Sequence, residues 1–377
     1  MAGIYIHIPF CTKACHYCDF HFSTSLAKKT PLVDAICDEL KTRVSYLSNE
    51  KVETIYFGGG TPSLLTKEEL KKILNCVYEH YDVINSPEIT LEANPDDLKK
   101  EKLIELKEAG INRLSIGIQS FDKNTLEWMN RSHTPQQAET CVQMAQEVGI
   151  NNISIDLIYG IPNLKLEVWK QHLKQAIELK PTHISAYCLT VESKTVLHHQ
   201  VKKGEINMPS DEVTEEQFQV MINELSEAGY EQYEISNFYL EGFESKHNSS
   251  YWKGKKYLGI GPSAHSYDGS SRRWNVANNH QYLKGMNENS IFWEDEEIDE
   301  TTAYNEYILT SLRTKWGVDL DLLKERFNSD IVNHFQKEVY FFIKNGLVVI
   351  TNENAYILST QGKFLADGIA SDLFWID

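Results

Sequence analysis

Three thiols, Cys11, Cys15 and Cys18, fall within eight residues, directly behind the apolar run Ile4-Tyr-Ile-His-Ile-Pro-Phe10. Their number matters as much as their spacing. A structural zinc site normally closes with four ligands, whereas a cubane iron-sulfur cluster held by three thiolates leaves one iron open to an outside molecule. An open iron is a place for chemistry. Two other readings stand beside it: zinc completed by His7, His16 or His21, and three unrelated buried thiols, although isolated buried cysteines do not usually cluster this way. The other four cysteines, Cys37, Cys76, Cys141 and Cys188, are scattered through regular-looking segments, and seven is an odd count. A disulfide framework is therefore not expected, and a reducing compartment suits an iron-sulfur cluster.

These thiols need a scaffold, and the rest of the first half supplies one. Apolar, β-branched runs at 4–8, 54–57, 88–91, 113–118, 153–158 and 183–189 alternate with longer segments of helical period, expected over 32–46, 98–109, 135–148 and 166–179. Thr66-x-x-Glu69 reads as a capping box, after which Leu70, Ile73, Leu74 and Val77 share one helical face, with Cys76 beside that stripe as a core residue. Six parallel strands with helices outside make an α/β fold, a partial (β/α)6 barrel resembling a TIM barrel with two units missing. Such barrels collect their chemistry at the C-terminal ends of the strands. There the chain places the cysteine loop, Gly58-Gly59-Gly60-Thr61-Pro62, Glu92-Ala-Asn94-Pro95, Gly117-Ile-Gln119-Ser120-Phe121 and Asp156-Leu-Ile-Tyr-Gly160. Singly, a glycine run before proline is also a tight turn, and a carboxylate at a strand end is also an N-cap. Together, around one three-cysteine loop, they are hard to explain as turns.

With Cys-x3-Cys-x2-Cys behind Tyr5-Ile-His7-Ile-Pro-Phe-Cys11, and with Phe57-Gly-Gly-Gly-Thr-Pro62, Glu92-Ala-Asn-Pro95 and Ser115-Ile-Gly-Ile-Gln-Ser-Phe121, the sequence resembles the radical S-adenosylmethionine (SAM) superfamily. More narrowly it resembles the oxygen-independent coproporphyrinogen III oxidase family, in its heme-chaperone branch. The resemblance implies a 4Fe-4S cluster on Cys11, Cys15 and Cys18, whose open iron is chelated by SAM and whose electron cleaves the sulfonium to a 5′-deoxyadenosyl radical. It also implies SAM contacts at Tyr5, Gly59, Gly60, Thr61, Glu92, Gln119, Arg131 and Asp156. Physical needs agree: bare glycine backbone approaches the methionine moiety, Glu92 faces the cationic amino and sulfonium groups, the Arg131 fork suits the SAM carboxylate, and Asp156 accepts from ribose hydroxyls. Gln119 would bridge the ribose and the substrate side. One departure is informative. The oxidases carry a fourth cysteine two residues after the third, and the chaperone branch lacks it; here that position is Phe20.

Beyond Thr190 the pattern loosens into a polar connection over 193–212 and a helix expected over 213–228. His247-Asn-x-x-Tyr251-Trp252 then brings an imidazole and two large rings within six residues. A porphyrin needs an axial nitrogen and flat apolar faces, and a surface loop anchored by its two rings is the plainer alternative. The family resemblance implies heme binding here, with His247 as ligand; His265, after Gly261-Pro-Ser-Ala264, reads as a pocket-lining position near the cofactor. From residue 299 onward a helical face of Tyr304, Ile308, Leu312 and Trp316 precedes a hairpin at 346–358, as in the family's small winged-helix-type cap. The expected division is a radical SAM core over 1–235, a linking region over 236–298 and the cap over 299–377.

The net charge of −17, from 54 acidic against 37 basic residues, argues against a nucleic-acid partner, because such binding depends on neutralising phosphates. No apolar run approaches the roughly 18 residues of a membrane span, and the first eleven residues hold no basic segment or cleavage signature, so a cytoplasmic location is expected. The functional expectation is a heme chaperone that holds the cluster, SAM and heme (or a related porphyrin) and delivers heme to an acceptor protein, membrane-associated acceptors included. The alternative is coproporphyrinogen III dehydrogenase chemistry in porphyrin biosynthesis, decarboxylating propionates to vinyl groups.

Overall fold

The computed structural model describes residues 1–376. Strands β1 (Ala2–Ile8), β2 (Val52–Gly59), β3 (Val83–Ala93), β4 (Arg113–Gln119), β5 (Asn152–Tyr159) and β6 (His183–Cys188) lie side by side in chain order, every neighbouring pair parallel. Helices Lys29–Thr42, Lys67–His80, Lys100–Ala109, Pro135–Glu147 and Leu166–Glu178 connect them. The capping box at Thr66 is formed in both directions: its hydroxyl accepts from the Glu69 amide, and the Glu69 carboxylate accepts from the Thr66 amide. Leu70, Ile73, Leu74, Cys76 and Val77 of that helix are buried, so Cys76 is core.

The strands alternate strictly. Ile4, Ile6, Ile8, Ile55, Phe57, Leu91, Leu114, Ile116, Ile153 and Ile155 join the helices' apolar residues in one buried cluster. Their neighbours Tyr5, Tyr56, Glu92, Ser115, Asp156 and Ser185, one from each strand, line a single cavity of about 1370 Å³. That arrangement needs the sheet to curl, because side chains on successive strands otherwise run parallel rather than converge. The sheet does not close, since its two end strands have no pairing with each other. The expected partial barrel is therefore present, with a polar interior where most such barrels are filled with apolar side chains.

The stretch 236–298, expected as a linking region, is instead built into the sheet at both edges. After β7 (Glu231–Glu234), β8 (Asn237–Tyr239) runs antiparallel to β6, while β9 (Tyr257–Ile260) adds a seventh parallel strand beside β1. Antiparallel β10 (His265–Tyr267), β11 (Ser271–Asn275) and β12 (Trp293–Glu297) follow outward from β9. These strands are three to five residues long, too short for a period of two to stand out in sequence. The polar connection at 193–212 likewise contains a short helix, Val196–Lys202, capped by Thr195.

The C-terminal segment has its own core, in which Tyr304, Ile308, Leu312, Phe335, Val339 and Leu358 are buried together. Helix Glu300–Leu312 leads to β13 (Val318–Asp319), two further helices, β14 (Val348–Ile350) and β15 (Ala355–Leu358), with β15 central in a small antiparallel sheet. Trp316, expected on the first helix's face, lies beyond its end, with Lys253 Nζ 3.9 Å over its ring. This unit is fixed to the barrel by backbone bonds from Ile235 to Arg313 (3.1 Å) and from Lys315 to Tyr233 (2.9 Å). Among the described residues no helix is long and apolar enough to cross a membrane.

Candidate functional site

The cysteine loop leaves β1 and is pinned at its base, where the Cys11 amide donates to Ser23 O (3.1 Å) and the Ser23 amide to Pro9 O (2.8 Å). Asn130 Nδ2 holds Ala14 O at 2.8 Å, and His16 Nδ1 bonds Trp128 O at 2.7 Å, so the loop is fastened across the mouth to the segment after β4. All three thiols are partly exposed, unpaired and face the common cavity. Burial pushes the Cys18 thiol up to about 11 and raises that of Cys11 as well. Thiols held protonated this way ionise when a metal binds them. The imidazoles weighed as zinc ligands are committed elsewhere: His7 bonds Tyr5 OH (3.1 Å) and His21 O (2.9 Å), His16 bonds Trp128 O, and His21 Nε2 meets Asn279 Oδ1 at 2.8 Å. Among the described residues no three of His, Cys, Asp or Glu converge on one ion's site. A cubane does not need such convergence, because it offers a separate iron corner to each thiol.

The strand-end residues gather opposite the loop. Gly59 has φ 98°, and a side chain there would run into the His7 ring; one on Gly60 would meet Ile8 O at 2.6 Å and Phe10 O at 2.7 Å. Both positions therefore present bare backbone to the cavity. Thr61 is buried beside them, its amide on Phe10 O (2.7 Å) and its hydroxyl accepting from Asn94 (3.3 Å). Gln119 is held at φ 65° where the β4–β5 register shifts, which turns its side chain into the cavity. Arg131 donates to Asn94 Oδ1 (2.8 Å), Gly117 O (2.7 Å) and Cys15 Sγ (3.4 Å), while its Nε is enclosed without a partner. It thus links the thiol loop to the strand ends and retains an unused donor.

Two carboxylates share this space without an ion pair. Glu92 accepts from Tyr56 OH (2.8 Å) and the Gly59 amide (3.0 Å), and burial, with the nearby charge of Asp156, raises its pKa to about 7. Asp156 accepts from Ser115 Oγ at 3.3 Å, and burial raises its pKa to about 6. Desolvated carboxylates of this kind favour a cation. The donor set fits the implied groups: three thiols for a cluster, a side-chain-free cradle, two carboxylates for a sulfonium and an ammonium, and an arginine with a free donor.

If a cationic ligand binds ionised Glu92, binding releases a proton below pH 7, so SAM affinity should rise with pH through 6–7 and level off above the pKa of about 7. Equilibrium dialysis of SAM against cluster-loaded protein checks this, and Glu92→Gln should flatten that segment of the profile. A wild-type profile identical to that of Glu92→Gln would remove Glu92 from the binding set.

His247 is placed differently from a free ligand. It sits in the short helix Lys246–Trp252, whose first amides donate to Glu88 (3.1 and 3.0 Å). The ring is 2% exposed, stacks on Tyr56 at 4.9 Å, and bonds through both nitrogens, Nδ1 to Thr54 Oγ1 (2.7 Å) and Nε2 to Tyr251 OH (2.9 Å). Burial pushes its pKa down to about 3, so the imidazole stays neutral. Tyr5 stacks beside this ring, 6.5 Å from His247 and 6.0 Å from Tyr56, and all three line the same cavity. His265, expected to line the pocket, instead lies exposed outside the cavity, stacked on Trp274 at 6.0 Å. Phe20 is 67% exposed on the cavity rim.

Sequence reasoning gave no role to Tyr56, Asn94 or Ser115, which orient Glu92, Arg131 and Asp156. The signal was available: polar Arg113, Ser115, Gly117 and Gln119 alternate with apolar Leu114, Ile116 and Ile118 along β4.

Comparison with known proteins follows the same lines. A family model described as the radical SAM superfamily matches residues 5–176, and one described as the HemN C-terminal domain matches residues 298–363. The chain is similar to the heme chaperone HemW of Bacillus subtilis, 35% identical over 372 residues and covering 98% of each chain. It is 34% identical over 374 residues to that of Lactococcus lactis, covering 99% of this chain and 97% of the relative. Among solved structures, coproporphyrinogen III oxidase (HemN) from Escherichia coli superposes with a TM-score of 0.84 over 99% of this chain and 90% of that one, at 23% identity.

Proposed function

Given that the chain belongs to the HemN-like family of the radical SAM superfamily, we propose that it is a heme chaperone, binding a 4Fe-4S cluster, SAM and heme and passing heme to an acceptor protein. The observation that supports this most is near-full-length similarity to proteins named heme chaperones, joined to Phe20 standing two residues after the third thiol. When bound, the cluster and SAM supply one-electron chemistry at the open iron. The chain's own residues hold and orient: the three thiols grip the cluster, Glu92 and Asp156 attract the cationic cofactor, and Arg131 ties the loop to β4 and offers Nε to a carboxylate. Gly59, Gly60 and Thr61 admit the methionine backbone, and Tyr5 closes the inner side.

In this reading His247 provides the nitrogen to heme iron. Its neutrality suits that role, since neutral imidazole is the ligating form. Its Nε2 must first leave Tyr251 OH. Tyr251→Phe should therefore tighten heme binding by the worth of one ordinary hydrogen bond, about two- to tenfold. His247→Ala should shift the Soret band or abolish tight binding, whereas His198→Ala should do neither. Soret titration of the reconstituted variants measures all three. Heme spectra and affinity indifferent to both His247 and Tyr251 would make the motif a packing element and remove it as the heme ligand.

A further inference from the structure

We propose that Arg113 anchors a carboxylate of the cavity's ligand, a site that rests on the reading of this cavity as one for porphyrin and SAM. Arg113 opens β4 and is only 2% exposed, yet it lines the cavity. Among the described residues its side chain makes no hydrogen bond and no ion pair, and its Nε is fully enclosed without a partner. A buried guanidinium in that state is costly unless something meets it.

The chain shows what a purely structural buried arginine looks like. Arg43, 9% exposed, pairs with Glu39 at 3.2 Å and donates to Gly259 O and Ser266 Oγ. Arg113 has no such set. Asp156 feels its charge, but its oxygens take Ser185 and Ser115 rather than the guanidinium. Nearby imidazoles are also committed, His183 to Ser154 (2.7 Å) and Tyr233 (3.0 Å), His247 to Thr54 and Tyr251. The hydroxyl of Thr90, its register partner on β3, is also unpartnered but is fully buried outside the cavity lining, so it does not neutralise the guanidinium and leaves the cavity as the open approach to it. A planar fork at the wall of a cavity is matched by a carboxylate, whose two oxygens accept from its two prongs. A porphyrin propionate and the α-carboxylate of SAM share that chemistry.

The test compares each acid with its neutral counterpart: heme against heme dimethyl ester, and SAM against decarboxylated SAM, on cluster-loaded wild type, Arg113→Gln and Arg113→Lys. Binding is read by Soret titration and equilibrium dialysis. For one of the two pairs, the wild type should prefer the carboxylate by roughly tenfold or more, and Arg113→Gln should lower that ratio by roughly tenfold, with the other pair unchanged. The pair that responds names the source. Should the glutamine variant not fold, the lysine variant decides by the same ratios, because a point charge lacks the two-pronged contact and the ratio must fall. Ratios in both pairs equal to those of wild type overturn the assignment. If heme and its ester both fail to bind any protein, the chaperone reading falls, and the SAM pair alone decides for Arg113.

Discussion

Cys15→Ala, carried through anaerobic reconstitution, should emerge without the iron, sulfide and visible absorption that the wild-type protein takes up, while Cys76→Ala keeps all three. The contrast follows from placement. Cys15 is partly exposed in the loop that faces the cavity, with Arg131 Nη1 3.4 Å from its sulfur, and it is one of the three thiols of that loop, whereas Cys188, which also lines the cavity, stands apart at the end of β6. Losing one leaves two thiolates to grip a four-iron cluster whose open corner already lacks a protein ligand. Cys76 is 6% exposed in the packed face of its helix, its thiol donating to Cys37 O at 3.2 Å, and it does not line this cavity. Iron and sulfide assays beside the absorption spectrum decide the matter. Uptake of a single zinc and no sulfide by the wild type would mean that the three-thiol reading is mistaken.

The second large effect is on SAM. Arg131→Ala and Asp156→Ala should each weaken SAM binding by about tenfold or more, since a charge-assisted contact contributes about 1.5–3 kcal/mol. Iron content should stay at the wild-type level in both. The two variants should still differ, because Arg131 touches Cys15, whereas Asp156 meets Ser115 and Ser185 and none of the three loop thiols. The cluster spectrum should therefore move in Arg131→Ala and stay in place in Asp156→Ala. Dialysis with labelled SAM and iron assays on the same preparations separate the effects, and unaltered SAM affinity in both variants would show that the strand ends are wrongly assigned.

Much of this site is legible in sequence because it is built from backbone-determined features. A β-branched run followed by Gly59-Gly60 or by Glu92-Ala-Asn94 announces both a strand and what stands at its end, and the capping box at Thr66 fixes a helix start to the residue. Pairing across distance is not legible in the same way. Nothing local to His247-Asn-x-x-Tyr-Trp says that Thr54 and Tyr251 will occupy both ring nitrogens, because Thr54 is 193 residues away on β2. His265 illustrates the opposite error: a Gly-Pro-Ser-Ala approach suggested a pocket wall, yet the antiparallel turn from β9 to β10 swings it outside. The strands of 236–298 stayed hidden because each is stabilised by its neighbours in the sheet rather than by its own pattern. Arg113 sits at the start of a run that reads as apolar, although its alternation with Leu114 places it on the inner face.

Whether the chain hands on heme or makes a precursor of it turns on one side-by-side measurement. Anaerobic, cluster-loaded protein is incubated with coproporphyrinogen III and SAM, while the same preparation is titrated with heme. The account expects saturable one-to-one heme binding, sensitive to His247, and coproporphyrinogen III recovered unconverted, because Phe20 stands where the oxidases place a cysteine. Stoichiometric appearance of protoporphyrinogen IX, with heme binding weak or indifferent to His247, would contradict it and make the protein an oxidase.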